Sequence, residues 1–282
     1  MKVTNDIQEV RQMRWQNPAA TWGLVPTMGY LHEGHISLVR RARAENDFVA
    51  VTIYVNPTQF APTEDLSTYP RDLPHDLALL EAAGADLVFT PDDGVMYPAG
   101  FQTYVTVEEV TRVLEGASRP THFRGVTTVV AKLFNVVQPT RAYFGQKDYQ
   151  QTAVLRQMIH DLNFNLEMIV CPTVREADGL ALSSRNKYLD PAQRAAATVL
   201  SRALATGVTA LDQGERDAAR LRAMMQALIA AEPLARLDYI SVAHPRTLVE
   251  LDEVAEGAVL STAVFFNRTR LIDNMVWQES ES

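Results

Sequence analysis

Two histidines three positions apart close the run Pro26-Thr27-Met28-Gly29-Tyr30-Leu31-His32-Glu33-Gly34-His35. If that run opens a helix, the spacing puts both imidazoles on one side of it. Gly34 lets a ligand come close to the backbone. A helix start also offers unpaired N–H groups and the positive end of the helix dipole, which together favour a phosphate. Two imidazole donors at that place suit the charge that builds on an α-phosphate during displacement. A bare His-x-Gly-His is a short pattern, and two structural histidines beside a turn are the competing reading. Its position, after a strand and at a helix start, favours chemistry.

Two further stretches carry polar groups of the right kind. In Gly145-Gln146-Lys147-Asp148-Tyr149-Gln150-Gln151, Lys147 supplies a point charge for phosphates and Asp148 an acceptor for ribose hydroxyls. Gln151 lies about one helical turn further on. A polar helix cap with Asp148 at the N-cap is the alternative there. In Asp178-Gly179-Leu180-Ala181-Leu182-Ser183-Ser184-Arg185-Asn186, two hydroxyls and a guanidinium suit the β- and γ-phosphates of a nucleotide. A solvated loop with a surface arginine is the alternative. The sequence has neither a Gly-x-x-x-x-Gly-Lys-Ser/Thr loop nor a Gly-x-Gly-x-x-Gly fingerprint, and no Gly-x-Ser-x-Gly elbow that would suggest hydrolysis. His75, His122, His160 and His244 are scattered singly and read as structural or surface residues.

The elements that must position these groups alternate between strand and helix. A helix at about Asp6–Trp15 precedes a strand at Trp22–Pro26, and a second helix covers His35–Glu45, with Ile36, Val39 and Ala42 at helical spacing. Phe48–Val55 is nearly continuous in apolar residues, as expected of a strand covered on both faces. A helix at Leu73–Ala83, a strand at Asp86–Thr90, a helix at Val126–Val137 and a strand at Arg141–Phe144 follow. A helix at Asp148–Asp161 and a strand at Asn165–Val170 complete the rhythm. It predicts an α/β, Rossmann-like doubly wound parallel sheet, in which ligands bind beyond the carboxyl ends of the strands. From residue 177 the pattern changes. Helical spacing over 191–231 precedes three antiparallel strands at Arg236–Val242, Ala258–Phe266 and Thr269–Trp277, a smaller C-terminal α+β domain. The expected division is 1–176 for a nucleotide-binding and catalytic domain and 177–282 for the smaller one.

Composition narrows the class. A length of 282 residues fits about two domains, and the 47% hydrophobic content supplies their cores. No apolar run approaches the ~20 residues of a membrane span, and the N-terminus lacks the pattern of a secretory signal, so a cytoplasmic location is expected. Cys171 is the single cysteine, which excludes an intrachain disulfide. The net charge of −8, with no Lys/Arg-rich run, argues against nucleic acid. Arg40-Arg41-Ala42-Arg43 is the densest basic patch and reads as a solvated helix face.

Taken together, Pro26–His35, Val55-Asn56-Pro57-Thr58-Gln59-Phe60, Tyr69-Pro70-Arg71, Arg119-Pro120-Thr121-His122-Phe123, Gly145–Gln151 and Pro172–Leu189 resemble the pantoate–β-alanine ligase (pantothenate synthetase) family from about Gly23 to Asn274. The His-x-Gly-His pattern belongs to a wider nucleotidyltransferase superfamily, and its combination with Val-Asn-Pro-x-Gln-Phe is far more specific. The resemblance implies that pantoate, ATP with Mg2+, and β-alanine react in two steps through a pantoyl adenylate. It implies an ATP site of Met28, Gly29, Tyr30, Leu31, His32, Glu33, Gly34, His35, Gly145, Gln146, Lys147, Asp148, Val174, Leu182, Ser183, Ser184 and Arg185. His35 would be the catalytic proton donor, assisted by His32, with Lys147 and Arg185 also catalytic. Gln59 and Gln151 would bind the substrates, and Arg119 would reach the phosphates from a loop. The metal ligands are left open, and a homodimer is implied. Gln146 stands where the family usually has Glu, and Leu182 where it usually has Met, which weakens any side-chain role at those two positions. A relative that adenylylates a phosphate would need a second basic pocket, and Gln59 and Gln151 are neutral. A nucleotide sensor without catalysis would not need both histidines together with Lys147 and Arg185.

Overall fold

The computed structural model describes residues 1–61, 64 and 66–279. Its contacts divide the chain into two compact units, residues 1–145 with 154–172, and residues 146–153 with 173–282.

In chain order the first stretch contains β1 (Lys2–Thr4), α1 (Ile7–Gln16), β2 (Trp22–Thr27), α2 (Glu33–Glu45), β3 (Phe48–Ile53), α3 (Leu73–Ala82), β4 (Leu87–Phe89), α4 (Asp93–Met96), α5 (Glu115–Ser118), α6 (His122–Val137) and β5 (Arg141–Gly145). It continues through α7 (Tyr149–Asp161) to β6 (Glu167–Cys171). The six strands form one parallel sheet in the order β1-β4-β3-β2-β5-β6. From β2 the chain steps outward to β3 and β4 on one side, then to β5 and β6 on the other. The strand order therefore reverses between β2 and β5, the place where open α/β sheets bind ligands. Both strands end in a candidate segment, β2 in Met28–His35 and β5 in Gly145.

The central strands are apolar throughout because they are covered twice. Leu24 of β2 and Ala50 of β3 join Val10 of α1 and Val126, Val130 and Phe134 of α6 on one face. Their neighbours Val25, Val49 and Val51 join Ile36 and Val39 of α2 and Leu80 of α3 on the other. This is the period-two alternation of a strand with helices on both sides. The basic patch of α2 is consumed locally. Arg40 pairs with Glu33, Arg41 with Glu45, and Arg43 with Asp86 at 2.7 Å.

In the second unit α8 (Pro191–Ala196), α9 (Val199–Asp212) and α10 (Ala218–Ala230) precede β7 (Ala235–Ala243), β8 (Gly257–Phe266) and β9 (Thr269–Gln278). The strands form an antiparallel sheet in the order β7-β8-β9. Leu200, Leu204 and Leu211 of α9, Leu221 and Met225 of α10, and Leu260, Val264 and Trp277 of the sheet share its core. The doubly wound parallel sheet and the smaller α+β part are thus as expected. The differences are local. β1, α4 and α5 are too short to show a period, and α6 begins at His122, a turn before the expected Val126, because its first turn, His-Phe-Arg-Gly, carries no apolar pattern by which the sequence could reveal it. Among the described residues, no helix is long and apolar enough to cross a membrane.

Candidate active site

Beyond β2 the chain makes an arch before it enters α2. Thr27 donates its hydroxyl to the Thr52 carbonyl (2.7 Å) and accepts from the Gly29 amide (3.2 Å). Gly29 and Tyr30 then take successive left-handed conformations, at φ 81° and 51°. The first suits only glycine, and a Cβ there would also meet Ile53 Cγ2 at 3.0 Å and Asp76 Oδ2 at 3.1 Å. The buried Asp76 carboxylate of α3 accepts from the Tyr30 and Leu31 amides at 2.8 and 2.7 Å and so holds the arch. Burial raises its pKa above the usual carboxylate range, while those two amides pull the other way.

His32 is the N-cap of α2. The Gly34 amide donates to its Nδ1 (3.1 Å), and the His32 amide donates to His35 Nδ1 (3.3 Å). The pair reproduces a capping box with imidazoles in place of hydroxyl and carboxylate. An N–H can donate only to a ring nitrogen without a proton. Both neutral rings therefore carry their proton on Nε2. The ring centroids are 4.1 Å apart, so the start of α2 presents two neighbouring Nε2–H donors. Glu33, between them, directs its carboxylate to Arg40.

Beyond β3, the turn Pro57–Gln59 is built around Asn56, which is 1% exposed. Asn56 Oδ1 accepts from the Thr58 hydroxyl (2.9 Å) and the Tyr97 hydroxyl (2.8 Å), and its Nδ2 donates to Gly125 O and Gln59 Oε1, both at 3.1 Å. That last bond fixes the orientation of the Gln59 amide, whose Nε2 lies 3.0 Å from Met28 Sδ. A thioether is a weak acceptor, so this donor can turn to a better one. The Gln59 carbonyl accepts from Arg119 Nη2 (3.3 Å) and lies 2.9 Å from His122 Nδ1. Arg119 in turn pairs with Glu64 at 2.6 Å. Burial, reinforced by the Arg119 charge, pushes His122 down to about 4. It is neutral at pH 7, with its Nδ1 proton on the Gln59 carbonyl. At Gly125 of α6 a Cβ would lie 2.4 Å from the Thr58 carbonyl oxygen and 2.6 Å from the Gln59 nitrogen, so only glycine lets the helix touch this turn.

Of the expected site residues, Met28–His35, Gln59 and Gly145 lie in the first unit, and the structure brings Met28 to Gln59 and His32 to His35. Gly145 ends β5, and a Cβ there would meet nothing within 4 Å. Gln146–Asp148, Gln151, Val174 and Leu182–Arg185 belong to the second unit. There Gln146–Asp148 form a single 3-10 turn, with Lys147 Nζ 3.7 Å from Asp148 Oδ1. The Leu182 amide donates to the Val174 carbonyl (3.0 Å), closing a hairpin that leads into Ser183. Ser183 caps the turn Ser184–Tyr188 by accepting from the Arg185 amide (3.2 Å). Gln151, in the first turn of α7, is half-buried. Asn56, Asp76 and His122 carry no functional signal of their own in the sequence. Asn56 and His122 sit inside Val55–Phe60 and Arg119–Phe123, whereas an aspartate within α3 gives no hint that it will hold an arch 46 residues earlier.

A family model described as pantoate-beta-alanine ligase matches residues 2–276. A pantothenate synthetase of Chloroflexus aurantiacus is 62% identical over 275 residues, covering 97% of each chain. The crystal structure of pantothenate synthetase from Thermus thermophilus superimposes with a TM-score of 0.94 at 50% identity, covering 98% of this chain and 99% of that one. The pantoate-beta-alanine ligase of Francisella tularensis, solved with beta-gamma ATP and beta-alanine, gives a TM-score of 0.79 at 34% identity, covering 98% and 97%. With the whole fold matched and the family model spanning nearly every residue, this chain belongs to the pantoate–β-alanine ligase family.

Proposed function

We propose that the chain condenses pantoate with β-alanine using ATP, in two displacements. The pantoate carboxylate attacks the α-phosphorus, the bond to the β-phosphate oxygen breaks, and pyrophosphate leaves. The neutral amine of β-alanine then attacks the acyl carbon of pantoyl adenylate, loses its proton, and expels AMP. The carboxylate is ionised near neutral pH and needs no base. The amine does need one, since only about one in 2,500 is neutral at pH 7 for a lysine-like pKa.

The observation that carries this reading is the pair of Nε2–H donors on His32 and His35, fixed by backbone amides at the start of α2. Donors aimed at charge that appears only in the transition state accelerate the step without tightening the ground state. His35 is the principal donor, its Nε2–H hydrogen-bonded to that charge, and His32 assists. Met28–Gly34, Gly145, Gln146, Lys147, Asp148, Val174, Leu182, Ser183, Ser184 and Arg185 bind ATP, with Lys147 and Arg185 on the phosphates. Gln59 and Gln151 read pantoate and β-alanine. Gln59 suits that part, because its Nε2 exchanges a weak thioether acceptor for a substrate oxygen. Mg2+ arrives with ATP, held by phosphates and waters as this ion commonly is. A homodimer and a cytoplasmic location complete the reading.

Pyrophosphate exchange tests the order of steps. Labelled pyrophosphate should enter ATP when pantoate is present and β-alanine absent. Exchange that strictly requires β-alanine would overturn the separate adenylate.

A further inference from the structure

Two adjacent residues of β9 hold the two segments of the second unit that carry the proposed phosphate ligands. Side chains of neighbouring strand residues point to opposite faces, so Asp273 and Asn274 reach different parts of the chain. Both are only 3% exposed. Asn274 Nδ2 donates to the carbonyls of Gln146 (3.0 Å) and Lys147 (2.8 Å), and its Oδ1 lies 3.4 Å from Gln146 Nε2. Asp273 receives the Arg175 guanidinium through two bonds, of 2.6 and 3.0 Å. Arg175 also donates to Gly179 O (3.0 Å) and Asn274 O (3.3 Å). It thereby pins the hairpin in which Arg175 pairs with Ala181 and which delivers Leu182 and Ser183.

The fold alone does not call for this arrangement. A strand core of Leu271, Met275 and Trp277 would be content with apolar neighbours. Instead each buried polar group holds a stretch of backbone that leads directly to Lys147 or to Ser183–Arg185. We propose that Asp273 and Asn274 are positioning residues for adenylation, Asn274 setting the backbone from which Lys147 projects and Asp273, through Arg175, setting the hairpin before Ser183. The inference rests on the assignment of Lys147 and Arg185 to the phosphates.

Asn274→Asp is the decisive variant. It keeps the shape but presents an acceptor-only carboxylate to two carbonyl oxygens, which pushes the Gln146–Lys147 turn away. Single-turnover adenylation from ATP and pantoate should slow about tenfold to a hundredfold, with the KM for β-alanine unchanged. In a Lys147→Ala background the same substitution should cost less than about threefold, because the group it positions is gone. A merely destabilised fold would lower the rate by the same factor in both backgrounds, and that result would overturn the proposal while leaving Lys147 in place. If Lys147→Ala itself adenylates at the parental rate, the Lys147 assignment falls and the proposal with it, so the two failures are distinguishable. Asn274→Ser, smaller and uncharged, carries the same comparison if the aspartate variant does not fold.

Discussion

At the residue scale, His32 and His35 cap the start of α2 with one ring nitrogen, and the proposed chemistry falls to the other. Nδ1 of each accepts a backbone amide, and Nε2 of each keeps the proton. Substitutions can separate these jobs. The Asn side chain reaches about as far as Nδ1, so His35→Asn retains an acceptor for the His32 amide and loses the outer donor. His35→Ala loses both. We expect kcat to fall by about 10²–10³ in either variant, the usual effect of removing one preorganised donor, with ATP KM little changed. Only the alanine variant should also lose about 1 kcal/mol of stability, the worth of a helix cap. Rate and urea-unfolding measurements on both proteins check this. A raised ATP KM at unchanged kcat would return His35 to a binding role. The His-x-Gly-His spacing made both residues legible in the sequence, but not the tautomer. That depends on which nitrogen meets the Gly34 and His32 amides, a matter of three-dimensional geometry.

At the scale of elements, the site depends on helices laid against turns. The start of α6 grips the Gln59 turn through His122, and Gly125 permits the approach. The grip depends on pH. His122 is held down to about 4 by burial and by Arg119, against about 6.5 for an unfolded imidazole. Between those values the unfolded chain binds more protons than the folded one, so stability rises with pH across the window. The contribution is fully present above about pH 6.5 and is lost as pH falls toward 4. At pH 4.5 the loss relative to pH 7 amounts to about 2–3 kcal/mol. His122→Asn keeps an amide donor for the Gln59 carbonyl and cannot titrate. Its unfolding free energy should therefore fall less between pH 7 and pH 4.5 than that of the parent, by about that amount, in urea titrations at the two pH values. Identical pH dependence in both proteins would mean that His122 is not held neutral. The sequence showed most of these elements, because the strands are covered on both faces and the long helices carry a clear apolar period. It did not reveal that a lone histidine, read as structural, would seat the glutamine that the resemblance assigned to substrate. No periodicity encodes a contact between residues 59 and 122.

At the scale of the whole molecule, the second unit is discontinuous in sequence. Residues 146–153 cluster with 173–282, and residues 154–172 between them cluster with the first unit. Pattern reading along the chain assigns neighbours to neighbours, so it has no means of placing Gln146–Ala153 beside β9. The link includes hydrogen bonds across 96 to 128 residues, among them Asn274 Nδ2 to the Gln146 and Lys147 carbonyls and the Tyr149 hydroxyl to the Pro245 carbonyl at 3.0 Å. A net intramolecular hydrogen bond contributes roughly 0.5–1.5 kcal/mol. Three of them amount to about 1.5–4.5 kcal/mol, a substantial part of the roughly 5–15 kcal/mol that holds a domain folded. A fragment of residues 173–282 lacks all three, and water then solvates the exposed amide, so no further penalty for an unpaired group applies. A fragment of residues 146–282 retains them. The longer fragment should therefore unfold at a higher urea concentration than the shorter, and Asn274→Asp should lower the midpoint of the longer fragment only. In the shorter one the Asn274 amide faces solvent, where the exchange for a carboxylate matters little. Equal midpoints for the two fragments, or the same shift on substitution in both, would mean that the 146–153 segment contributes nothing to the stability of the unit it packs in.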